Sequence, residues 1–203
     1  KRMLVFYLAV AEQVLRSNNK IWLQVGAYNS YLYPPLTRDI NYKAPKRLMI
    51  EMCHGTEHNH PIRAKDSDIN ARFFQAMSGW RDIFEQISIY EYYWKLAMYD
   101  LPFPILHVMQ EDISFFAKQN IQSFYTQFGT DYYTNGQNYY IPSRLLWDSN
   151  QNVWSLLDEF CQKLYGNAWK PMRDYYVNFE NYPHSDAFFS FFFVFFFNDT
   201  ATT

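Results

Sequence analysis

Apolar residues return every three or four positions at the start of the chain, at Leu4, Leu8, Ala11 and Leu15. This spacing predicts an amphipathic helix over residues 1–18, ended by Asn18-Asn19. The pattern then changes to short, mostly apolar runs. Ile21–Ala27 (IWLQVGA), Arg47–Cys53 (RLMIEMC), Ile87–Tyr93 (ISIYEYY) and Ile121–Gln127 (IQSFYTQ) predict four strands. Between the second and third runs, Ile69, Phe73, Met77, Trp80 and Phe84 share one helical face behind Asp68, a candidate helix cap. Pro102 to Pro104 turns the chain into a further helix through about Lys118. Beyond a Gly/Asn/Tyr loop, helices are predicted over 139–147, 151–164 and 167–180, with Gly166 at the expected stop between the last two.

Nearly all-apolar strands alternating with helices are the pattern of a parallel sheet with helices outside it. Four such strands in this length predict an α/β chain that is half of a (β/α)8 TIM barrel, since the whole barrel takes about 250 residues. One connection departs from the ideal. Residues 28–46, YNSYLYPPLTRDINYKAPK, contain Pro34-Pro35 and predict a loop where a helix is due. A flavodoxin-like open sheet is the competing architecture, although no glycine-rich phosphate turn follows any of the runs.

Composition narrows the function classes. The 203 residues carry 18 Lys and Arg against 20 Asp and Glu, with no basic run, so a nucleic-acid surface is not expected. Two cysteines exclude a disulfide scaffold and a four-cysteine zinc site. No cofactor motif is present. The chain opens at Lys1 in mid-pattern, so the presence of a targeting signal is open. Residues 188–197 read FFSFFFVFFF, too short for a bilayer span and without strand or helix periodicity. The following NDTATT matches the translation of a common sequencing-adapter sequence. Residues 183–203 are therefore expected to be a non-native or disordered tail behind a barrel domain over residues 1–182.

In a barrel, chemistry sits at the C-terminal ends of the strands. The first strand runs into Tyr28, Tyr31 and Tyr33; the second carries Glu51 and ends at Cys53-His54. The third carries Glu91 among Tyr90, Tyr92, Tyr93 and Trp94; the fourth ends at Gln127, with Asp131, Tyr132 and Tyr133 beyond. Acidic residues on two neighbouring apolar strands need an explanation, because a buried carboxylate is costly unless paired or functional. Two carboxylates across a cleft are what glycoside hydrolysis uses. Tyrosine and tryptophan rings offer flat faces and polar edges suited to sugars. The rival reading is structural, with either glutamate bonded to an arginine such as Arg47 or Arg144. His54, His58 and His60 with Glu57 suggest a metal site, but the segment lacks the helical H-E-x-x-H arrangement, and no metal is expected. Cys53 reads as a small buried residue rather than a nucleophile.

The order of several motifs carries a resemblance. They are the Tyr28-x2-Tyr-x-Tyr-Pro-Pro loop, Glu51-Met-Cys, Asn70-x2-Phe-x5-Gly-Trp80, Tyr90-Glu-Tyr, Leu101-Pro-Phe-Pro and the stretch Leu145–Tyr176 with WD, FC and LYG-x-A. Over residues 1 to about 182 the chain resembles the bacterial domain-of-unknown-function family 4838, of the glycoside-hydrolase-like TIM-barrel superfamily. The resemblance implies the C-terminal half of a barrel related to α-glucuronidases and β-hexosaminidases, with the N-terminal half of the same barrel as its missing partner. It implies a secreted or cell-envelope protein acting on polysaccharide or oligosaccharide, with a non-catalytic carbohydrate-binding or structural envelope domain as the alternative. Relatives tend to carry Trp-Asp-Tyr where this chain has Tyr90-Glu91-Tyr92, so the acid is kept in kind but reaches one methylene further. On this basis Glu51 and Glu91 are expected to be the catalytic carboxylates. Both should face the barrel mouth, Glu51 with Met49 and Cys53 and Glu91 with Ile89 and Tyr93. An inverting pair would stand about 6.5–9.5 Å from its acid partner. Tyr28, Tyr92, Trp94, Gln127 and Tyr132 are the expected substrate-binding residues.

Overall fold

The computed structural model describes residues 1–35, 42–54, 60–94, 102, 103, 105–127, 129 and 132–181. The expected tail at 183–203, the candidate ligands Glu57 and His58, and Asp131 lie outside the described residues. The four strands are β1 (Leu23–Ala27), β2 (Leu48–His54), β3 (Gln86–Glu91) and β4 (Ser123–Thr126). They form one sheet in the order β1-β2-β3-β4, every neighbouring pair parallel. Strands following one another in order, without the reversal that a doubly wound sheet needs, are half of a (β/α)8 barrel and not a flavodoxin-like sheet. Helices α1 (Arg2–Ser17), α2 (Asp68–Arg81) and α3 (Leu106–Lys118) precede β1, join β2 to β3 and join β3 to β4. The C-terminal helices are α4 (Tyr132–Asn135), α5 (Gln137–Trp147), α6 (Val153–Tyr165) and α7 (Trp169–Glu180). Among the described residues no helix is long and apolar enough to cross a membrane.

The chain divides into two compact units. Of the described residues, one unit comprises those within 1–92 and 116–127, and the other those within 93–115 and 129–181. In the first unit the core is the sheet face under α2. Leu48, Ile50, Met52 and His54 of β2 are buried, while the alternate residues Met49, Glu51 and Cys53 are half-buried. Phe73, Ala76, Met77 and Trp80 of α2 are buried as well, and the Phe73 ring meets the His54 ring at 4.7 Å. Burying apolar side chains of this size is worth about 1.5–3 kcal/mol each, which makes this face the main support of the unit.

The cap of α2 lies one residue earlier than expected. Ser67, not Asp68, accepts from the Asn70 N–H at 3.1 Å, and Asp68 becomes a first-turn acid at the positive end of the helix dipole. The Tyr/Pro loop that replaces a helix after β1 is held against α2 at two points. A side chain at Gly79 would place Cβ 2.7 Å from the Pro34 ring, so only glycine lets the loop approach this closely. The next residue, Trp80, donates its indole N–H to Leu32 O at 2.7 Å. The loop itself contains a short 3-10 turn over Asn29–Tyr31.

In the second unit, Asn152 caps α6 by accepting from the N–H groups of Trp154 and Ser155. Gly166 ends α6 at φ +53°, a backbone angle that favours glycine. Val153, Leu156, Leu157, Phe160 and Cys161 form the buried stripe of α6. Leu164 of the expected stripe lies in the last turn of α6 and is exposed instead. At the other end of the unit, Glu180 accepts from the Leu106 N–H and meets His107 Nδ1, each at 2.8 Å. A carboxylate thereby serves the orphan donors at the start of α3.

Candidate functional site

The sheet has a second face, opposite the one under α2. Parallel register sets Gly26 of β1, Glu51 of β2 and Ser88 of β3 side by side on it, and in the next row Cys53, Tyr90 and Tyr125. Side chains alternate along a strand, so these rows and Tyr92 just past β3 share one direction. Gly26 leaves open space on one side of Glu51, with nothing within 4 Å of where a Cβ would stand. On the other side, the Ser88 hydroxyl is buried without a hydrogen-bond partner among the described residues.

The Glu51 carboxylate accepts from the Gln24 side-chain amide, two residues before Gly26. Partial burial raises the Glu51 carboxyl above its ordinary range, and the Gln24 hydrogen bond opposes that only in part. Around it stand aromatic rings. Tyr90 contacts Tyr92 at 4.9 Å and Tyr125 at 4.8 Å between ring centroids. The Tyr92 hydroxyl is hydrogen-bonded to Tyr28, and burial, followed by the neighbouring Tyr28, holds its phenol far above the usual range. Tyr28 and Tyr125 are exposed at their outer edges. The Cys53 thiol is pushed up to about 11 by burial and then by Glu51 and Glu91. That is the opposite of an activated nucleophile. Gln127 continues β4, half-buried, with its backbone N–H on Glu91 O at 3.1 Å.

Glu91 lies elsewhere. Its Cα partner on β2 is His54, and it belongs with Ile87 and Ile89 on the buried face beneath α2. It shares a parity with Ile89, as expected, but that parity leads to the helices and not to the face of Glu51. The expectation that both glutamates point from one face into a common mouth is thus corrected. The cause is the register, in which Glu51 stands opposite Ser88 and Glu91 opposite His54. Nor does either glutamate bond to the arginines that were the structural alternative. Arg47 donates to Lys20 O and lies over the Trp22 ring, and Arg144 pairs with Glu159.

Glu91 and His54 are 0% and 1% exposed, and His54 Nδ1 stands 2.7 Å from Glu91 Oε1. The other imidazole nitrogen, Nε2, is 2.7 Å from Asn70 Oδ1. Asn70 Nδ2 donates to the carbonyls of His60 and Pro61 at 2.9 and 3.1 Å, which fixes Oδ1 as the atom facing the ring. An amide oxygen only accepts, so Nε2 carries a hydrogen. One further proton then lies between Nδ1 and the carboxyl. Wherever it resides, as imidazolium with carboxylate or imidazole with carboxylic acid, the pair has no net charge. This is how an acid and a base are accommodated in a dry core. The second oxygen, Glu91 Oε2, accepts from the Tyr92 N–H at 3.3 Å.

The sequence-predicted residues therefore separate into three places. Tyr28, Glu51 and Tyr92 come together on the open face, with Gln127 at its edge. Glu91 sits behind them. Trp94 and Tyr132 belong to the second unit, where Tyr132 stacks on Tyr139 with rings 6.5 Å apart and 14° from parallel. Sequence reasoning missed Gln24 and the His54–Asn70 connection. The signal for His54 was present, since Leu48, Ile50, Met52 and His54 form one alternating series, but the histidine reads as the start of a polar loop. Among the described residues no group of three or more His, Cys, Asp or Glu is arranged to hold a metal ion.

The fold and this face define an α/β half-barrel chain that, among the described residues, sets one carboxyl among tyrosines on the strand face opposite α2. The chain belongs to the family described as domain of unknown function, DUF4838, whose model matches residues 1–178. No curated protein and no solved structure matches the chain.

Proposed function

We propose that this chain forms part of the cleft of a glycoside-hydrolase-like protein, with Glu51 as its acid–base carboxyl and Tyr28, Tyr90 and Tyr92 as its sugar-stacking wall. One observation carries this reading: a partly buried carboxyl, raised above its ordinary range, stands on an open strand face ringed by tyrosines. A carboxyl with a raised pKa holds its proton closer to neutral pH, as glycosidic bond cleavage requires of a general acid or base. Tyrosine faces stack on the apolar side of a sugar ring while their hydroxyls meet its polar rim. Gln127 is the further polar group at the edge of the same face. Among the described residues this face carries one carboxylate, so the second would come from strands that complete the barrel.

A non-catalytic carbohydrate-binding domain is the second reading, favoured by that single carboxylate, because stacking needs only the aromatics. Both readings are tested with the protein that contains the complete barrel. Release of reducing ends from a panel of xylo-, cello- and chito-oligosaccharides, lost in Glu51→Gln with binding retained, supports the hydrolase. Binding without turnover in the parent, weakened by Tyr92→Ala and not by Glu51→Gln, supports the binding domain. Failure of every oligosaccharide to bind overturns both.

A further inference from the structure

The buried polar series under the sheet continues to the open face, and it rests on the reading of that face as a sugar wall. Asn70, in the first turn of α2, is anchored to the carbonyls of His60 and Pro61 and to the Ser67 cap. It receives the hydrogen of His54 Nε2; His54 Nδ1 shares a proton with Glu91 Oε1; Glu91 Oε2 receives the N–H of Tyr92. Tyr92 is the residue at which the chain leaves β3, and its hydroxyl is hydrogen-bonded to Tyr28. We infer that Asn70 and His54 are positioning residues which, through Glu91, set the backbone of Tyr92 and hence the Tyr28–Tyr92 wall beside Glu51.

The choice of residues fits this task better than catalysis. Glu91 has no exposed surface, so no substrate reaches its oxygens. Its two oxygens need one partner that shares a proton and one that donates. A glutamine meets both demands, its amide NH2 donating to Nδ1 of a neutral His54 and its oxygen accepting from Tyr92. A catalytic carboxylate would not survive that exchange. Leucine, of similar size and apolar, meets neither demand while filling the same dry site.

Amide hydrogen exchange measured by NMR on the full chain separates the possibilities. In Glu91→Leu and Asn70→Ala the Tyr92 amide is expected to exchange at least about tenfold faster than in the parent, while Ile89 within β3 keeps its parental rate. Glu91→Gln is expected to restore the parental Tyr92 rate. An unchanged Tyr92 rate in Glu91→Leu, a Glu91→Gln rate as fast as that of Glu91→Leu, or equal acceleration of Ile89 and Tyr92 would each overturn the inference. Where Asn70→Ala fails to fold, the Glu91→Leu and Glu91→Gln pair decides alone. Calorimetry with xylohexaose and cellohexaose forms a separate arm. Weaker binding in Glu91→Leu and parental binding in Glu91→Gln extend the inference to the sugar wall. If the parent binds neither probe while the exchange pattern holds, the sugar reading fails and the positioning of Tyr92 stands.

Discussion

Glu51 and Glu91 are the same residue type on adjacent parallel strands, and they have opposite surroundings. Glu51 looks out from the sheet beside the side-chain-free Gly26, touches Gln24, and keeps part of its surface in water. Glu91 faces the side of the sheet that His54 shares, has no exposed surface, and meets His54 with one oxygen and the Tyr92 N–H with the other. The first carboxyl is left available and has its proton affinity raised by partial burial. The second is fully engaged. An acid on a strand thus acquires its role from the face it occupies and the groups that meet its oxygens, since desolvation penalises the charge on either face and only the buried one has a base to offset it.

The largest effect that would break this comparison is expected on the buried side. His54→Leu strands Glu91 in the core, and a loss of about 3–5 kcal/mol of unfolding free energy is expected from urea titration. The double variant His54→Leu/Glu91→Leu should recover much of it, because two apolar residues leave no charge unmatched. A cost in the double variant equal to the sum of the costs of His54→Leu and Glu91→Leu would mean that the two side chains are not coupled.

On the open side, Glu51→Gln should leave stability nearly intact and lower turnover by about 100-fold or more, as removal of a general acid or base does. Initial rates on the best oligosaccharide of the panel measure this. Parental activity would leave Glu51 without a chemical role. Tyr92→Ala is expected to weaken oligosaccharide affinity by about tenfold, from the loss of one stacking face. A calorimetric isotherm matching the parent would remove Tyr92 from the wall.

The smallest effect is the pH dependence of stability. The folded protein holds the Glu51 proton more tightly than the unfolded chain does. Its contribution to stability is complete below the ordinary glutamate range, about pH 4, and is lost as pH rises through the raised value. Glu51→Gln should therefore melt slightly above the parent near neutral pH and level with it in acid. The difference is small because a half-exposed carboxyl is screened by water. A variant less stable than the parent at pH 7 would reverse the assigned direction.

Much of the sheet was legible because each strand is a short apolar run and each helix repeats its apolar residues at the proper spacing. The predicted runs at 21–27, 47–53, 87–93 and 121–127 cover the observed strands except for His54 at the end of β2 and Gln86 at the start of β3. The helix α4 at Tyr132–Asn135 was read as loop, since a single turn is too short to show periodicity. The Asn70, Phe73, Gly79 and Trp80 motif was visible as spacing, but its meaning was not. The structure turns it into one hydrogen bond to His54, one ring contact with His54, one close approach by Pro34 and one hydrogen bond to Leu32.

Sequence alone determined the α/β class, the places of the four strands and the longer helices to within a few residues, the family resemblance and the tyrosine-rich strand ends, because those follow from local periodicity and residue type. It could not decide which way each glutamate points. A strand shows a period of two, but which of its two faces meets the helices depends on register against its neighbours and on the packing of α2. Those are long-range choices, settled by where Phe73, Met77 and Trp80 find a surface to bury. Once that face was chosen, His54 and Glu91 were drawn into the core together and Glu51 was left facing out.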